Sequence, residues 1–282
     1  MADITPATIA KLREMTNAGM MDCKKALVET GGDLGAAVDF LRKKGMATAA
    51  KKAVRDAREG IIVQYIQPGA KAGVLVEVNC ETDFVAKNEN FRAFCDEIAR
   101  TLVANPAADL EAMRVAQVAK TGENIRIPRH QRIEVAGNGI VGGYIHLGSK
   151  IGVLVEVGCG KPETAATDDF KQLVRDLTLQ IAAANPTSVS REQIDPAVIA
   201  KEKEIAVEQV KGKPPGAIAK IVEGKLEKFY QTNCLVDQGF VKRNSEVTVK
   251  EHVASVAKQL GDELVVRRFF RFQVGESSSA AA

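Results

Sequence analysis

The chain has 282 residues, and at roughly 100 to 150 residues per domain this length predicts two or more folding units. Hydrophobic residues make up 45% of the chain and charged residues 27%, which is the composition of an ordinary globular protein. A total of 39 Lys and Arg residues against 36 Asp and Glu residues leaves a net charge of +3, which excludes the large positive excess of proteins built to neutralise nucleic-acid phosphates.

The first 45 residues contain three short helical patterns. Thr5 caps the first helix and Pro6 opens it, and two further amphipathic stretches follow, the last of which ends at Gly45. Short helices gain most of their stability by packing against one another, so residues 1–45 are predicted to form a three-helix bundle. Residues 46–58 are rich in Ala, Lys and Arg and are predicted to form a solvent-exposed linker.

A duplicated sequence follows this linker. Residues 60–80 and 139–159 are identical at 13 of 21 aligned positions, and each copy has alternating β-branched residues, a glycine-containing turn and the run Val-Leu-Val-Glu-Val. These features predict a β-hairpin in each copy. An amphipathic helix is predicted after each hairpin, from about 91 to 104 and from about 170 to 184, and both helices should end at an Asn-Pro pair. The fold class is therefore α+β, with a duplicated core of antiparallel strands packed by helices.

A helical hairpin is predicted within the second half of this core. Asp195 and Pro196 begin a charged helix, the sequence Lys-Pro-Pro-Gly at 213–216 interrupts it, and a second helix follows before strand and helix patterns resume. The predicted divisions are a three-helix bundle at 1–45, a linker at 46–58, the first half of the core at 59–138, the second half at 139–194 and 232–276, an inserted antiparallel helical hairpin at 195–231 and a flexible tail at 277–282.

Cysteine usage and the N-terminal residues indicate the compartment. The five cysteines are scattered and none has the C-x-x-C spacing, so neither a disulfide framework nor a zinc site is predicted. The first residues lack the basic and apolar regions of a signal peptide, and no apolar run is long enough to cross a membrane. A cytoplasmic location is expected.

Catalytic and nucleotide-binding patterns are weak. The three histidines have neither metal-ligand spacing nor a neighbouring nucleophile motif, so no enzyme chemistry, metal or cofactor is predicted. Residues 137–142 match G-x-G-x-x-G, but these glycines open a predicted strand, whereas a dinucleotide site requires them at the start of a helix.

One segment distinguishes the two copies. After residue 80 the first copy continues with Glu81-Thr82-Asp83-Phe84-Val85-Ala86-Lys87-Asn88, whereas the second copy has Gly-Lys-Pro-Glu-Thr at the matching place. Because the surrounding scaffold is so similar, the 82–88 segment is predicted to serve function rather than folding. Two interpretations stay open: Thr and Asp cap a helix while Phe84 points inward, or the ring protrudes beside the carboxylate and enters a pocket of another protein.

Two further surface features are candidates for partner binding. Met20 and Met21 are consecutive in a predicted helix, where neighbouring side chains point about 100° apart, so at least one should be exposed. An exposed methionine suits a partner groove, although a loosely packed bundle explains it almost as well. His146 precedes the second hairpin turn and should also be exposed, as an ordinary surface residue or as a contact.

Residues 12–27 and 82–88 resemble the two signature sequences of bacterial elongation factor Ts. The resemblance extends from residue 3 to about residue 276 and includes the stretches at 122–125 and 272–276. The two motifs read Leu12-Arg13-x-Met15-Thr16-x-Ala18-Gly19-Met20-Met21-Asp22-Cys23-Lys24-Lys25-Ala26-Leu27 and Thr82-Asp83-Phe84-Val85-Ala86-Lys87-Asn88.

This resemblance implies a guanine-nucleotide exchange factor for elongation factor Tu, without catalytic residues, cofactor or nucleotide site of its own. Tu would be the partner, in a heterodimer or a larger assembly. The resemblance also implies a ubiquitin-associated-like bundle, a duplicated core and a helical hairpin. The residues that would dock on the nucleotide domain of Tu are Leu12, Arg13, Met20 and Met21.

The same resemblance implies that the 82–88 segment pushes between helices of Tu and disturbs its magnesium and phosphate site. The residues with this role would be Thr82, Asp83, Phe84 and Val85. A second group, which would fall in the half that meets the third domain of Tu, comprises Thr121, Gly122 and His146. Many members of the family continue past Val-Gly-Glu at 274–276 into a further helix, and the contact made by that helix is expected to be missing here.

Two alternatives come from other functional classes. An RNA-associated protein could use the basic residues of the 43–58 segment, Lys43, Lys44, Lys51, Lys52, Arg55 and Arg58, to follow phosphates. The absence of aromatic residues within that segment and the nearly balanced charge argue against it. An adaptor that binds through the helical hairpin is the second alternative.

Overall fold

The computed structural model describes residues 4–16, 18–212 and 214–276, and this part of the chain has an α+β fold with ten α-helices and two three-stranded sheets. The predicted tail at 277–282 lies outside it. The helices are α1 (Pro6–Thr16), α2 (Met20–Glu29), α3 (Leu34–Lys52), α4 (Asp83–Lys87), α5 (Glu89–Ala104), α6 (Glu111–Thr121), α7 (Asp168–Ala184), α8 (Pro196–Glu208), α9 (Pro215–Asn233) and α10 (Val249–Leu260). The strands are β1 (Glu59–Ile66), β2 (Ala72–Cys80), β3 (Arg126–Glu134), β4 (Gly139–Ile145), β5 (Ile151–Cys159) and β6 (Leu264–Gln273). Within the described residues, none of the helices combines the length and the apolar character needed to span a bilayer.

Residue contacts divide the chain into two compact units. Unit 1 takes the described residues within 1–63, 76–130 and 274–282, and unit 2 takes those within 64–75 and 131–273. Each unit is therefore assembled from segments that are separated in sequence. The outer end of the first hairpin, 64–75, belongs to unit 2.

Helices α1, α2 and α3 pack around a small core. Its fully buried members are Leu12, Cys23, Ala26, Leu27 and Ala37. The sequence analysis predicted that this helix ends at Gly45, but α3 continues to Lys52. Residues 46–52 are mostly Ala and Lys, which are good helix formers and favour this extension. Gly45 faces Val115 of α6, and a Cβ atom added to it would lie 3.3 Å from the valine Cγ1. The glycine thus allows close helix packing instead of ending the helix.

The two copies of the repeat have the same strand order. The sheets are β1-β2-β3 and β4-β5-β6, so in each copy a third strand joins the second strand of the hairpin. The helix and strand patterns expected after the helical hairpin correspond to α10 and β6, but the sequence analysis missed α6 and β3. β3 reads Arg-Ile-Pro-Arg-His-Gln-Arg-Ile-Glu, and its charges and proline hide the strand pattern. A proline is tolerated there because β3 is an edge strand.

A buried glutamate links the third strand to the hairpin in each copy. Glu77 of β2 and Glu156 of β5 occupy the same repeat position, and both are almost completely buried. Arg129 of β3 places its Nε 2.7 Å from Glu77, while Arg267 and Arg268 of β6 contact Glu156 at 2.9 and 2.8 Å. Burial alone would raise the pKa of Glu156, but hydrogen bonds from both arginines and from a backbone N–H lower its pKa overall.

A glycine opens each hairpin because the facing backbone leaves no room for a side chain. Gly60 and Gly139 have φ angles of +143° and +139°. A Cβ atom would lie 2.2 Å from the Val78 carbonyl oxygen in the first copy and 2.3 Å from that of Val157 in the second. Gly139 begins strand β4, so the glycines at 137–142 open a strand, as predicted, and not a helix.

The main core of unit 2 forms between β5, α7, α10 and β6. Its largest buried members include Phe170, Leu177 and Phe240, and among the described residues none of its members comes from α8 or α9. Those two helices pack against each other around their own small cluster, Ala206, Val210 and Val222.

Candidate partner-binding site

The 82–88 segment forms the one-turn helix α4, which has a capping residue at each end. Thr82 accepts a hydrogen bond from the Val85 N–H at 3.3 Å, and Asn88 caps the following helix α5 through the Asn90 N–H at 2.8 Å. Lys87 donates to Asp83 across the turn at 2.7 Å. This hydrogen bond lowers the pKa of Asp83 and keeps its carboxylate charged. Threonine and asparagine are therefore helix caps.

The ring of Phe84 lies outside the fold. Its side chain is 81% exposed, whereas Ala86 in the same helix is buried. The inward orientation, which the sequence analysis left open, is wrong. α4 thus presents a large ring next to a carboxylate, and such an aromatic group is typical of a partner-binding surface.

Glu123 holds the base of α4 through both carboxylate oxygens. Its Oε1 accepts a hydrogen bond from the Thr82 hydroxyl at 2.6 Å, and its Oε2 accepts from the N–H groups of Glu81 and Thr82 at 2.9 and 3.0 Å. Glu81 returns a similar bond, because its Oε1 accepts from the Asn124 N–H at 2.6 Å. Residues 81–82 and 123–124 are thereby joined by reciprocal bonds between carboxylates and backbone. The sequence analysis did not identify Glu123, whose partners are about forty positions away in the sequence and leave no local pattern.

Thr121 and Gly122 lie at this same base. Gly122 ends α6 with a φ angle of +71°, and the Thr121 hydroxyl accepts a bond from the Glu123 N–H at 3.3 Å. The sequence analysis grouped these two residues with His146. The structure places Thr121 and Gly122 in unit 1 together with α4, and His146 in unit 2, so their shared contact with one part of a partner stays a prediction. The unit to which a residue belongs follows from its contacts in the fold and not from its order in the sequence.

The predicted docking residues of the bundle differ in exposure. Arg13 is exposed, and Met20 and Met21 are 59% and 74% exposed, so both methionines face solvent although helix geometry requires only one to do so. Leu12 is fully buried in the bundle core and has no surface for a direct contact, so its predicted docking role is corrected to packing. Its position in α1 turns it towards α2 and α3.

A groove of about 490 Å³ in unit 1 lies on the side of the bundle that faces α6. Two further methionines that the sequence analysis did not single out, Met15 and Met46, line it and are themselves exposed. Its apolar lining also includes Val38, Leu41 and Val115.

His146 is exposed, as predicted, at the turn between β4 and β5. The Tyr144 hydroxyl lies 2.9 Å from its Nδ1 atom. Leu147, which the sequence analysis did not consider, is 90% exposed at the same turn. The turn therefore presents an imidazole and an aliphatic side chain side by side.

The basic 43–58 segment is largely engaged with other residues of unit 1. Lys44 lies 2.5 Å from Asp22, and Lys52 donates to the carbonyl oxygen of Gly122. Arg55 pairs with Glu81 and Arg58 with Asp56. These partners reduce the positive charge that this segment could offer to a phosphate backbone.

Metal-binding clusters do not occur in the described part of the chain, since no three His, Cys, Asp or Glu side chains are suitably placed there. The five cysteines all lie in the described part of the chain, where they are buried and form no disulfide. Burial raises the pKa of Cys159 and of Cys234, which keeps these thiols protonated.

The sequence is similar to known translation factors over almost its whole length. A family model described as Elongation factor TS matches residues 81–276. The chain is 47% identical to elongation factor Ts of Symbiobacterium thermophilum over 98% of this chain and 93% of that protein. It is 45% identical to the protein of the same name from Nautilia profundicola, with 98% and 94% of the two chains covered. With the protein from Nitratidesulfovibrio vulgaris it shares 42% identity over 98% of both chains. The chain therefore belongs to the elongation factor Ts family of translation elongation factors.

Proposed function

We propose that this protein is the guanine-nucleotide exchange factor of elongation factor Tu: it binds Tu carrying GDP, promotes GDP release and allows GTP to load. The observation that carries this proposal is the exposed ring of Phe84 beside the charged Asp83, on a short helix anchored by Glu123. An exposed aromatic side chain can bury most of its surface in a pocket of a partner, and such aromatic anchors often supply a large share of the binding energy, so its presence supports a binding role.

In the proposed mechanism, Thr82, Asp83, Phe84 and Val85 enter Tu and disturb its magnesium and phosphate site. An exchange factor must bind the nucleotide-free form of its target more tightly than the loaded form, and this coupling is reciprocal. Accelerating release ten-thousandfold requires a barrier lower by about 5.5 kcal/mol, which is more than a single exposed contact supplies. Docking energy must therefore come from other surfaces.

We assign this docking energy to the exposed side chains Arg13, Met20 and Met21 of the bundle and to His146 of unit 2. Thr121 and Gly122 would contribute next to α4. Leu12 would act indirectly by fixing α1 against α2. By the same proposal the bundle is ubiquitin-associated-like, the core is duplicated with an inserted helical hairpin, and the protein works in the cytoplasm without a cofactor.

Release of a fluorescent GDP analogue from purified Tu tests this function. Stopped-flow mixing with excess unlabelled GDP should show release that accelerates with the concentration of this protein and then saturates. If the protein acts through the magnesium site, its effect should shrink when EDTA has already removed the metal. Release that does not depend on the protein would refute the proposal. Pull-down from a lysate tests the alternatives, because RNA in place of a single GTPase would favour the basic 43–58 segment.

A further inference from the structure

We propose that Glu123 is a positioning residue for exchange: its carboxylate fixes the direction in which α4 presents Phe84, without touching the partner. The inference rests on the proposed function and adds a residue that lies outside both signature sequences. Its basis is the set of three hydrogen bonds by which Glu123 holds the residues immediately before α4.

These bonds restrain the start of the helix in different ways. The N–H groups of Glu81 and Thr82 fix the backbone that leaves β2, and the Thr82 hydroxyl fixes the capping side chain. The same hydroxyl accepts the Val85 N–H, so it connects Glu123 directly to the first turn of α4. α4 is only one turn long, and that turn begins directly after the two residues that Glu123 holds.

Glu123 is itself held on a firm support. It follows Gly122, which ends α6 in a left-handed conformation, and its N–H donates to Thr121. The next residue, Asn124, is almost fully buried and donates from its side chain to the Arg55 carbonyl oxygen at 2.7 Å. The anchor is therefore held by contacts outside α4.

The second copy of the repeat contains the same kind of anchor without a protruding ring. Asp262 follows Gly261, which ends α10 with a φ angle of +60°, and it accepts the Lys161 N–H at 3.0 Å. A hydrogen bond from the Thr164 side chain also lowers the pKa of Asp262. The anchor thus belongs to both copies, but only in the first does it support an exposed aromatic side chain. Asp262 is consequently a matched control for Glu123.

Loss of the Glu123 anchor should reduce the rate of exchange more than binding. Without it, α4 would sample several directions, and only the fraction with the productive direction could act on the nucleotide site. The docking surfaces on the bundle and on unit 2 would be unchanged. The maximal release rate should therefore fall, while the concentration that gives half of it should stay nearly constant.

The test measures both quantities by stopped flow for Glu123→Ala, Glu123→Gln and Asp262→Ala. We expect Glu123→Ala to lower the maximal GDP-release rate at least fivefold, with less than a twofold change in the half-saturating concentration, and Glu123→Gln to lower it at least twofold. Asp262→Ala should stay within about twofold of the wild-type rate. In a Phe84→Ala background, Glu123→Ala should add less than a twofold effect, because the two residues act through one contact.

Three outcomes would overturn the inference: effects of Glu123→Ala and Phe84→Ala that multiply, equal effects of Glu123→Ala and Asp262→Ala, or a wild-type maximal rate in Glu123→Ala. Circular dichroism shows whether each variant folds. If Glu123→Ala does not fold, Glu123→Gln decides, and a wild-type rate in that variant counts against the inference. Failure of the proposed function looks different, because the wild-type protein itself would then fail to accelerate release.

Discussion

Two phenylalanines close together in the chain have opposite environments. Phe84 is largely exposed on α4, whereas Phe91 is completely buried in α5. Both follow a capping residue, Thr82 or Asn88, at the start of a helix. Hydrophobicity alone therefore does not distinguish the ring that stabilises this protein from the ring available to a partner.

Replacing Phe84 with alanine should separate function from stability. We expect GDP release from Tu to slow at least tenfold while Tu binding stays measurable, because docking surfaces elsewhere remain. The free energy of unfolding should change by less than about 0.5 kcal/mol, since the ring is exposed. Phe91→Ala is the control and should destabilise the fold by about 3 to 5 kcal/mol. Unchanged release rates in Phe84→Ala would rule out a role for the ring.

The buried carboxylate of Glu156 should make stability depend on pH. Its folded-state pKa lies below the ordinary value of 4.5, so its stabilising contribution is complete above about pH 4.5 and is lost as the pH falls through the folded pKa. Glu156→Gln should therefore cost about 2 kcal/mol at pH 7, and this difference should shrink in acid. Denaturant unfolding at pH 7 and at pH 3 measures it. An equal difference at both pH values would contradict the prediction.

At the scale of the secondary-structure element, backbone spacing explains residues that look like sequence motifs. Gly139 matches a dinucleotide-binding glycine by pattern, yet its place in β4 is set by the Val157 carbonyl oxygen opposite. Gly45 looks like a helix terminator, yet it lies within α3 where that helix approaches α6. The role of each of these two glycines is thus set by the residue that faces it in the fold, which is Val157 for Gly139 and Val115 for Gly45.

Gly139→Ala should disrupt the pairing of β4 with β5. The new Cβ atom would lie 2.3 Å from the Val157 oxygen, so the strands must separate, and we expect a loss of at least about 3 kcal/mol in the free energy of unfolding. Gly148→Ala is the matched control, because Gly148 also has a positive φ of +81° but no neighbouring atom within 4 Å. It should cost about 1 kcal/mol. Chemical denaturation compares them, and equal losses would show that φ alone matters.

At the scale of the whole molecule, the α8 and α9 helices form a separable part of unit 2. Within the described residues, their small cluster and the main core of unit 2 share no member. Arg191 holds the C-terminal part of α9. Its side chain contacts Glu227 at 2.7 Å and Asp237 at 2.9 Å, and it lies over the Tyr230 ring. The hairpin is thus attached at one end.

Removing most of this hairpin should leave the remaining protein folded. We expect replacement of residues 196–226 by six Gly and Ser residues, which can span about 20 Å, to shift the thermal midpoint by less than about 5 °C. The linker would begin after the four residues that follow Arg191, whose side chain contacts Glu227 at the other junction. Calorimetry and circular dichroism provide the measurement. Loss of a cooperative transition would show that the hairpin is needed for folding.

The sequence by itself determined the α+β class, the two hairpins, the helix ends at Ala104 and Ala184, and membership of the family. These features depend on residues adjacent in the chain, such as capping side chains, turn glycines and periodic apolar positions. β3 was not predicted because its own residues do not have a strand pattern. It is a strand because it pairs with β2.

Only the tertiary structure decided which side chains of the signature sequences are available to a partner. Leu12 and Met21 belong to one motif, yet the first is buried and the second is exposed. Glu123 became part of the site through hydrogen bonds to Thr82, a residue 41 positions earlier in the chain. Burial and long-range hydrogen bonding depend on which segments meet after folding. The sequence around a single residue does not show which distant segment it will contact.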